Sequence, residues 1–114
     1  MDRGIVQAGG SDCPVEHFNP WEGMYAAATR KDLSGYPPEG WHPHEKVSVY
    51  DALCMFSKNV AIVGCNDDVL GTLETGKFAD MMVTDRDFLN LPAEDLLNVK
   101  VLKTYLAGEE VYSA

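Results

Sequence analysis

The sequence predicts a mixed α/β chain built of two segments, a helical one over residues 1–65 and a strand-rich one over residues 66–114. Three observations predict it. A short apolar run, Gly4-Ile5-Val6-Gln7-Ala8, has strand character. Two later stretches combine helix-start residues with apolar side chains at three- and four-residue spacing. Beyond Cys65 the pattern changes to short apolar runs separated by Gly-containing turns.

Each element follows in order. Gly4 to Ala8 reads as a buried strand, closed by the turn Gly9-Gly10-Ser11-Asp12-Cys13-Pro14. Glycine there lets the backbone take a positive φ or approach a ligand closely. Asn19-Pro20-Trp21-Glu22 opens a helix: Asn19 suits the cap, Pro20 the first helical position, and Glu22 a capping box. Met24, Ala27 and Ala28 give it a small apolar face. Residues 34–43, with Pro37-Pro38, Tyr36 and Trp41, form a stiff aromatic loop. A second helix starts at Ser48, with Asp51 in the capping-box place. Val49, Ala52, Leu53, Phe56, Val60 and Val63 mark one face, and Gly64 ends it. In the second segment, Ala79 to Asp85 reads as a strand and Pro92 to Leu97 as a helical turn. Val99 to Leu106 is strand-like, and Ala107-Gly108-Glu109 turns it into a closing strand, Glu110 to Ser113.

Composition narrows the partners. The 114 residues are 46% hydrophobic and 24% charged, which is globular usage rather than disorder. Nine basic residues against 18 acidic ones leave a net charge of −9, and Arg30-Lys31 is the only adjacent basic pair. Nucleic acid and anionic membrane each require a clustered positive field, so neither is expected as a partner. The longest charge-free runs, Gly4 to Ser11 and Asn59 to Asn66, are too short to span a bilayer. Met1-Asp2-Arg3 is followed by no apolar signal region, and Cys13, Cys54 and Cys65 are widely spaced. Both favour a cytoplasmic setting with reduced thiols. The strand begins so close to Met1 that the chain is expected to be a piece of something longer.

Few residues carry recognisable chemistry. His42-Pro43-His44 has the letters of a metal pair, but a metal needs three or four ligands on rigid supports. The plainer reading is of solvent-facing loop histidines. His17, near Asp12 and Glu16, reads as an ordinary loop residue. A nucleophilic cysteine needs a base or a depressed pKa: Cys54 reads as small core filling, and Cys13, which follows Asp12, could line a pocket but has nothing local to activate it. Asp67-Asp68 and Glu109-Glu110 read as solvated turns. Asp12 is different, because a carboxylate just after an apolar strand and a Gly-Gly-Ser turn sits where barrel enzymes keep catalytic groups. Asp is also common in turns, so both readings stand.

Two motifs, in order, resemble a known family. Gly9-Gly10-Ser11-Asp12-Cys13-Pro14-Val15-Glu16, with Asn19-Pro20-Trp21 and Tyr25-Ala26-Ala27, is similar to the last barrel strand and following helix of amidohydrolase-superfamily enzymes. The nearer resemblance is to the metal-dependent hydrolase branch that includes N-substituted formamide deformylase. It continues through Ser48 to Leu53 and into Gly71-Thr72-Leu73-Glu74-Thr75-Gly76-Lys77-Phe78-Ala79-Asp80-Met81-Met82-Val83-Thr84-Asp85, with Thr72 where the family usually has Ser.

The resemblance implies a C-terminal fragment of a (β/α)8 metal-dependent hydrolase barrel. Residues 1–65 would be the last barrel strand and following helices, and residues 66–114 part of a small β-sandwich domain. It implies a small-molecule substrate with a non-peptide C–N bond, amide or formamide-like. It also implies a divalent metal, zinc in most of the family, in the full-length parent. Asp12 would be both metal ligand and general base toward a metal-activated water, and Asp80 would be structural. The other family ligands lie on earlier strands, and His42-Pro43-His44 follows the aspartate instead of preceding it. The chain alone is therefore expected to bind no metal and to be inactive. The family's sandwich draws on both chain ends, so self-association through exposed strand edges is expected. Two rivals remain: a free-standing α+β binding module without catalysis, and a small metal-binding protein using His17, His42 and His44.

Overall fold

The computed structural model describes residues 4–114; Met1 to Arg3, at the head of the first expected segment, lie outside the described residues. Helix α1 (Pro20–Thr29) forms where the capping residues place it. Asn19 is extended, and its side-chain oxygen accepts from the Trp21 N–H at 3.2 Å. Pro20 occupies the first turn, where a missing N–H costs nothing. Glu22 departs from the expected capping box: its Oε1 meets the Asn19 side-chain amide at 3.3 Å and His17 Nδ1 at 3.2 Å. Trp21, Met24, Tyr25, Ala28 and Thr29 are buried, a helical stripe broader than the small face expected. The buried Thr29 hydroxyl donates to the Tyr25 carbonyl at 2.8 Å, which satisfies it.

Two expectations fail. Residues 4–10 form no strand. A strand exists through a ladder partner, and among the described residues this segment has none: Gly9 N–H donates to the Met55 carbonyl at 2.8 Å and the Asn59 side-chain amide to the Gln7 carbonyl at 2.9 Å. The expected second helix is two: α2 (Val49–Met55) and α3 (Lys58–Val63). Ser57 leaves the helical region at φ −135° and ψ −90°, and its hydroxyl bonds back to the Leu53 carbonyl at 2.7 Å. Past the break the apolar stripe turns outward, leaving Val60 44% and Val63 59% exposed. The Ser48 cap does form, since its Oγ accepts from the Asp51 N–H at 3.0 Å.

The second segment follows its pattern. Strands β1 (Met81–Thr84), β2 (Val101–Leu106) and β3 (Glu109–Ser113) make an antiparallel sheet in the order β1-β2-β3. Ala107 and Gly108, both at positive φ, form the two-residue turn between β2 and β3. Asp80 Oδ1 accepts from the Ala107 N–H at 2.7 Å, tying the start of β1 to that turn. The helical turn expected at Pro92 is a 3-10 segment, Ala93–Asn98. Its Leu96 is fully buried against α1, in a cluster with Trp21, Met24, Tyr25, Ala52 and Val99. One core thus draws on both segments. The chain is a mixed helix and sheet structure, and no helix among the described residues is long and apolar enough to cross a membrane.

Candidate active site at the Asp12 turn

The turn that carries Asp12 is positioned by backbone hydrogen bonds and by one aromatic ring. A Cβ built on Gly9 would lie 2.6 Å from Phe56 Cε2, and one on Gly23 would lie 2.4 Å from Phe56 Cζ. The Phe56 ring is therefore wedged between the start of the turn and α1, in a space that exists because both neighbours lack a side chain. The glycine turn is expected to take a positive φ or to approach a ligand closely; Gly9 instead lies close to the Phe56 ring, and neither Gly9 nor Gly10 is at positive φ. Within the turn, the Asp12 carbonyl accepts from the Val15 N–H at 2.9 Å and the Ser11 carbonyl from the Glu16 N–H at 3.1 Å. Asp12 sits at φ 48°, a left-handed conformation that Asp tolerates better than most residues. Its side chain is exposed and forms no ion pair or hydrogen bond among the described residues. Cys13 beside it is a free, exposed thiol.

A cavity of about 570 Å³ opens next to this turn, lined in part by Ser11, Glu16, His17, Glu22, Leu33 and Phe56. Glu22 orients His17 there through the 3.2 Å contact to Nδ1. Lys31, also on the wall, is committed to Glu94 at 2.9 Å. That hydrogen bond raises the Lys31 pKa and lowers that of Glu94. The carboxylates of Glu16, Glu22 and Asp32 thus leave the cavity acidic.

The remaining candidates lie elsewhere. The His42 and His44 rings are 5.6 Å apart, His42 stands edge-on to Trp41 at 4.2 Å, and His44 Nε2 is 3.6 Å from Glu45 Oε1. His42 lines a different recess from the one that holds His17. Among the described residues no three His, Cys, Asp or Glu side chains come together as a metal would require. Asp12 alone, one monodentate carboxylate on a turn, does not fit a catalytic metal. Two arrangements here were not read from the sequence: the Phe56 wedge and the His17–Glu22 contact. The first had a signal in Gly9 and Gly23; the second had only proximity in sequence.

Comparison with known proteins shows the family of the chain. The profile of the Amidohydrolase family matches residues 1–112. N-substituted formamide deformylase from Arthrobacter pascens is 33% identical over 108 residues, covering 95% of this chain and 19% of that protein. Protein LONG AFTER FAR-RED 3 from Arabidopsis thaliana is 32% identical over 115 residues, covering 98% of this chain and 19% of its own length. The chain thus spans about a fifth of the length of these relatives. In structure, an amidohydrolase from Thermotoga maritima MSB8 superposes with a TM-score of 0.67 at 23% identity, over 99% of this chain and 24% of that one. That likeness speaks to the fold.

Proposed function

The chain belongs to the amidohydrolase family, and from that premise we propose that it is the C-terminal part of a longer hydrolase that cleaves a non-peptide C–N bond, amide or formamide-like, in a small molecule. In this reading residues 1–65 supply the last strand and helices of a (β/α)8 barrel, and residues 66–114 part of a small β-domain beside it. Asp12 is the residue assigned to chemistry. The observation that carries the assignment is its setting: the turn is fixed by backbone hydrogen bonds and by the Phe56 wedge, while the carboxylate itself has no partner among the described residues. A carboxylate held in place but uncommitted is suited to take and return a proton. A divalent metal, zinc by the family resemblance, would need ligands outside this chain beside Asp12, because Asp12 alone cannot hold one.

The reading is tested by assaying amide and formamide hydrolysis with this chain and with the product of the open reading frame that surrounds it. The chain is expected to be silent and the longer product active, with Asp12→Asn lowering kcat about 100-fold or more. Asp12→Asn activity within tenfold of the parent overturns the assignment. Hydrolysis by the chain alone overturns the need for the rest. The exposed apolar face of the sheet, with Leu102, Leu106 and Tyr112, favours a second reading, a non-catalytic interaction module; a reading frame with its own promoter and a start codon at Met1 would select it.

A further inference from the structure

A recess of about 650 Å³ lies between residues 7–8, the C-terminal end of α1 and the 41–47 loop. Its wall carries an arginine prepared in an unusual way. Arg30 caps α1 in the left-handed region at φ 60°, and its own N–H donates to the Ala26 carbonyl. Its Nε donates to the Trp41 carbonyl at 3.1 Å, and its guanidinium lies over the Trp41 ring, 5.3 Å from the centroid. The Trp41 N–H returns a bond to the Arg30 carbonyl at 2.8 Å, so the two residues clamp each other. With Nε and the ring face holding the group, the two Nη nitrogens are left as a planar fork. Among the described residues Arg30 forms no ion pair, in a chain whose net charge is −9.

We propose that this recess is a binding site for a planar monocarboxylate with an apolar body, its carboxylate on the Arg30 fork and its body against Trp41, Val47 and Met55. The pieces fit that ligand and few others. A guanidinium fork matches a carboxylate with two parallel hydrogen bonds, and holding it beforehand removes much of the side-chain entropy such binding costs. Val47 and Met55 supply apolar wall, and His42, edge-on to Trp41, lines the same recess. Glu45 is also on the wall, and its negative charge disfavours a dianion such as phosphate. The site uses neither Asp12 nor a metal, although Gln7 and Ala8 on its wall belong to the segment that the proposed function reads as the last barrel strand.

Benzoate is the probe. Trp41 is 63% exposed and Trp21 is buried, so indole emission at long wavelength reports on Trp41. Titration of the 114-residue chain with benzoate is expected to shift that emission saturably and to move the backbone amide resonances of Val47 and Met55. Arg30→Gln should weaken binding about tenfold or more, and Arg30→Lys should also weaken it, because an ammonium keeps the charge but loses the fork. Benzyl alcohol and inorganic phosphate should each bind far more weakly than benzoate. The proposal is overturned by an absence of saturation with benzoate, by benzyl alcohol binding as well, by phosphate binding more tightly, or by Arg30→Gln binding as the parent does. Should Arg30→Gln fail to fold, the comparison of the three probes on the parent chain still decides.

Discussion

The Phe56 wedge makes a prediction whose sign depends on its partner. Gly23→Ala inside α1 should by itself stabilise the helix by about 1 kcal/mol, because alanine is a far better helix former than glycine. The added Cβ, however, would lie 2.4 Å from Phe56 Cζ, and the same ring edge is 2.6 Å from where a Gly9 Cβ would be. The ring has no room to retreat toward Gly9, and it also packs against the core cluster. Forcing it to move costs about 1–3 kcal/mol, as overpacked sites do. The net expectation for Gly23→Ala is a loss of about 1 kcal/mol. Phe56→Leu removes the Cε and Cζ atoms that make the clash. In that background Gly23→Ala should become neutral or stabilising by up to about 1 kcal/mol, so the coupling between the two sites is about 1–2 kcal/mol. The assay is urea unfolding of the four proteins of the cycle, followed by circular dichroism. Hydrogen exchange at the Gly9 amide, which bonds to the Met55 carbonyl, should quicken in both single variants as the turn loosens. A Gly23→Ala effect of equal size and sign in both backgrounds would refute the wedge.

Two further predictions concern the sheet. Asp85 is held down to about 2 by the Arg86 guanidinium, with Nη2 at 2.6 Å, and then by the Lys100 N–H at 2.9 Å. Because its folded pKa lies below that of the unfolded chain, its contribution is complete above about pH 4 and is lost as pH falls toward 2. Carboxyl NMR titration should show the low midpoint, and Asp85→Asn should flatten the acid side of the stability profile; an ordinary midpoint would refute it. Strands β1 and β3 each leave an outer edge unpaired among the described residues, and Met82, Leu102, Leu106 and Tyr112 share one exposed face. We expect concentration-dependent self-association by sedimentation, relieved by Leu106→Lys. A strictly monomeric chain at all concentrations would end that expectation.

What could be read from the sequence was local. The Asn19 and Ser48 caps, the Ala107-Gly108 turn and the 3-10 segment after Pro92 each rest on residues within four positions of one another, and each forms. The misreadings are of both kinds: the missing strand is non-local, while the Glu22 capping box and the break at Ser57 fail within a few residues. Gly4 to Ala8 has the composition of a strand, but a strand is completed by a neighbour, and none is present among the described residues. The stripe from Val49 to Val63 has helical spacing throughout, and nothing in that spacing marks Ser57 as the place where its hydroxyl bonds back to Leu53. Asp12 could be located by motif and turn, while the Arg30–Trp41 clamp, eleven residues apart in sequence, could not. The motif order placed the family; it carried no information about which ring would hold the turn.

The break between α2 and α3 is also what docks the candidate site. In an uninterrupted helix the Met55 carbonyl would accept from the N–H of Asn59, four residues on. With the helix interrupted at Phe56 and Ser57, that carbonyl accepts from Gly9 instead, and the Asn59 side chain reaches the Gln7 carbonyl. The carbonyls at the end of a helix require partners wherever the helix stops; here the segment leading into the Asp12 turn provides one. Phe56, at the break itself, supplies the ring that fills the space between Gly9 and Gly23. Backbone bond and ring act on the same residue of the turn, Gly9, from the adjacent positions Met55 and Phe56. A substitution that restored a continuous helix would therefore release the turn, even though no residue of the turn had changed.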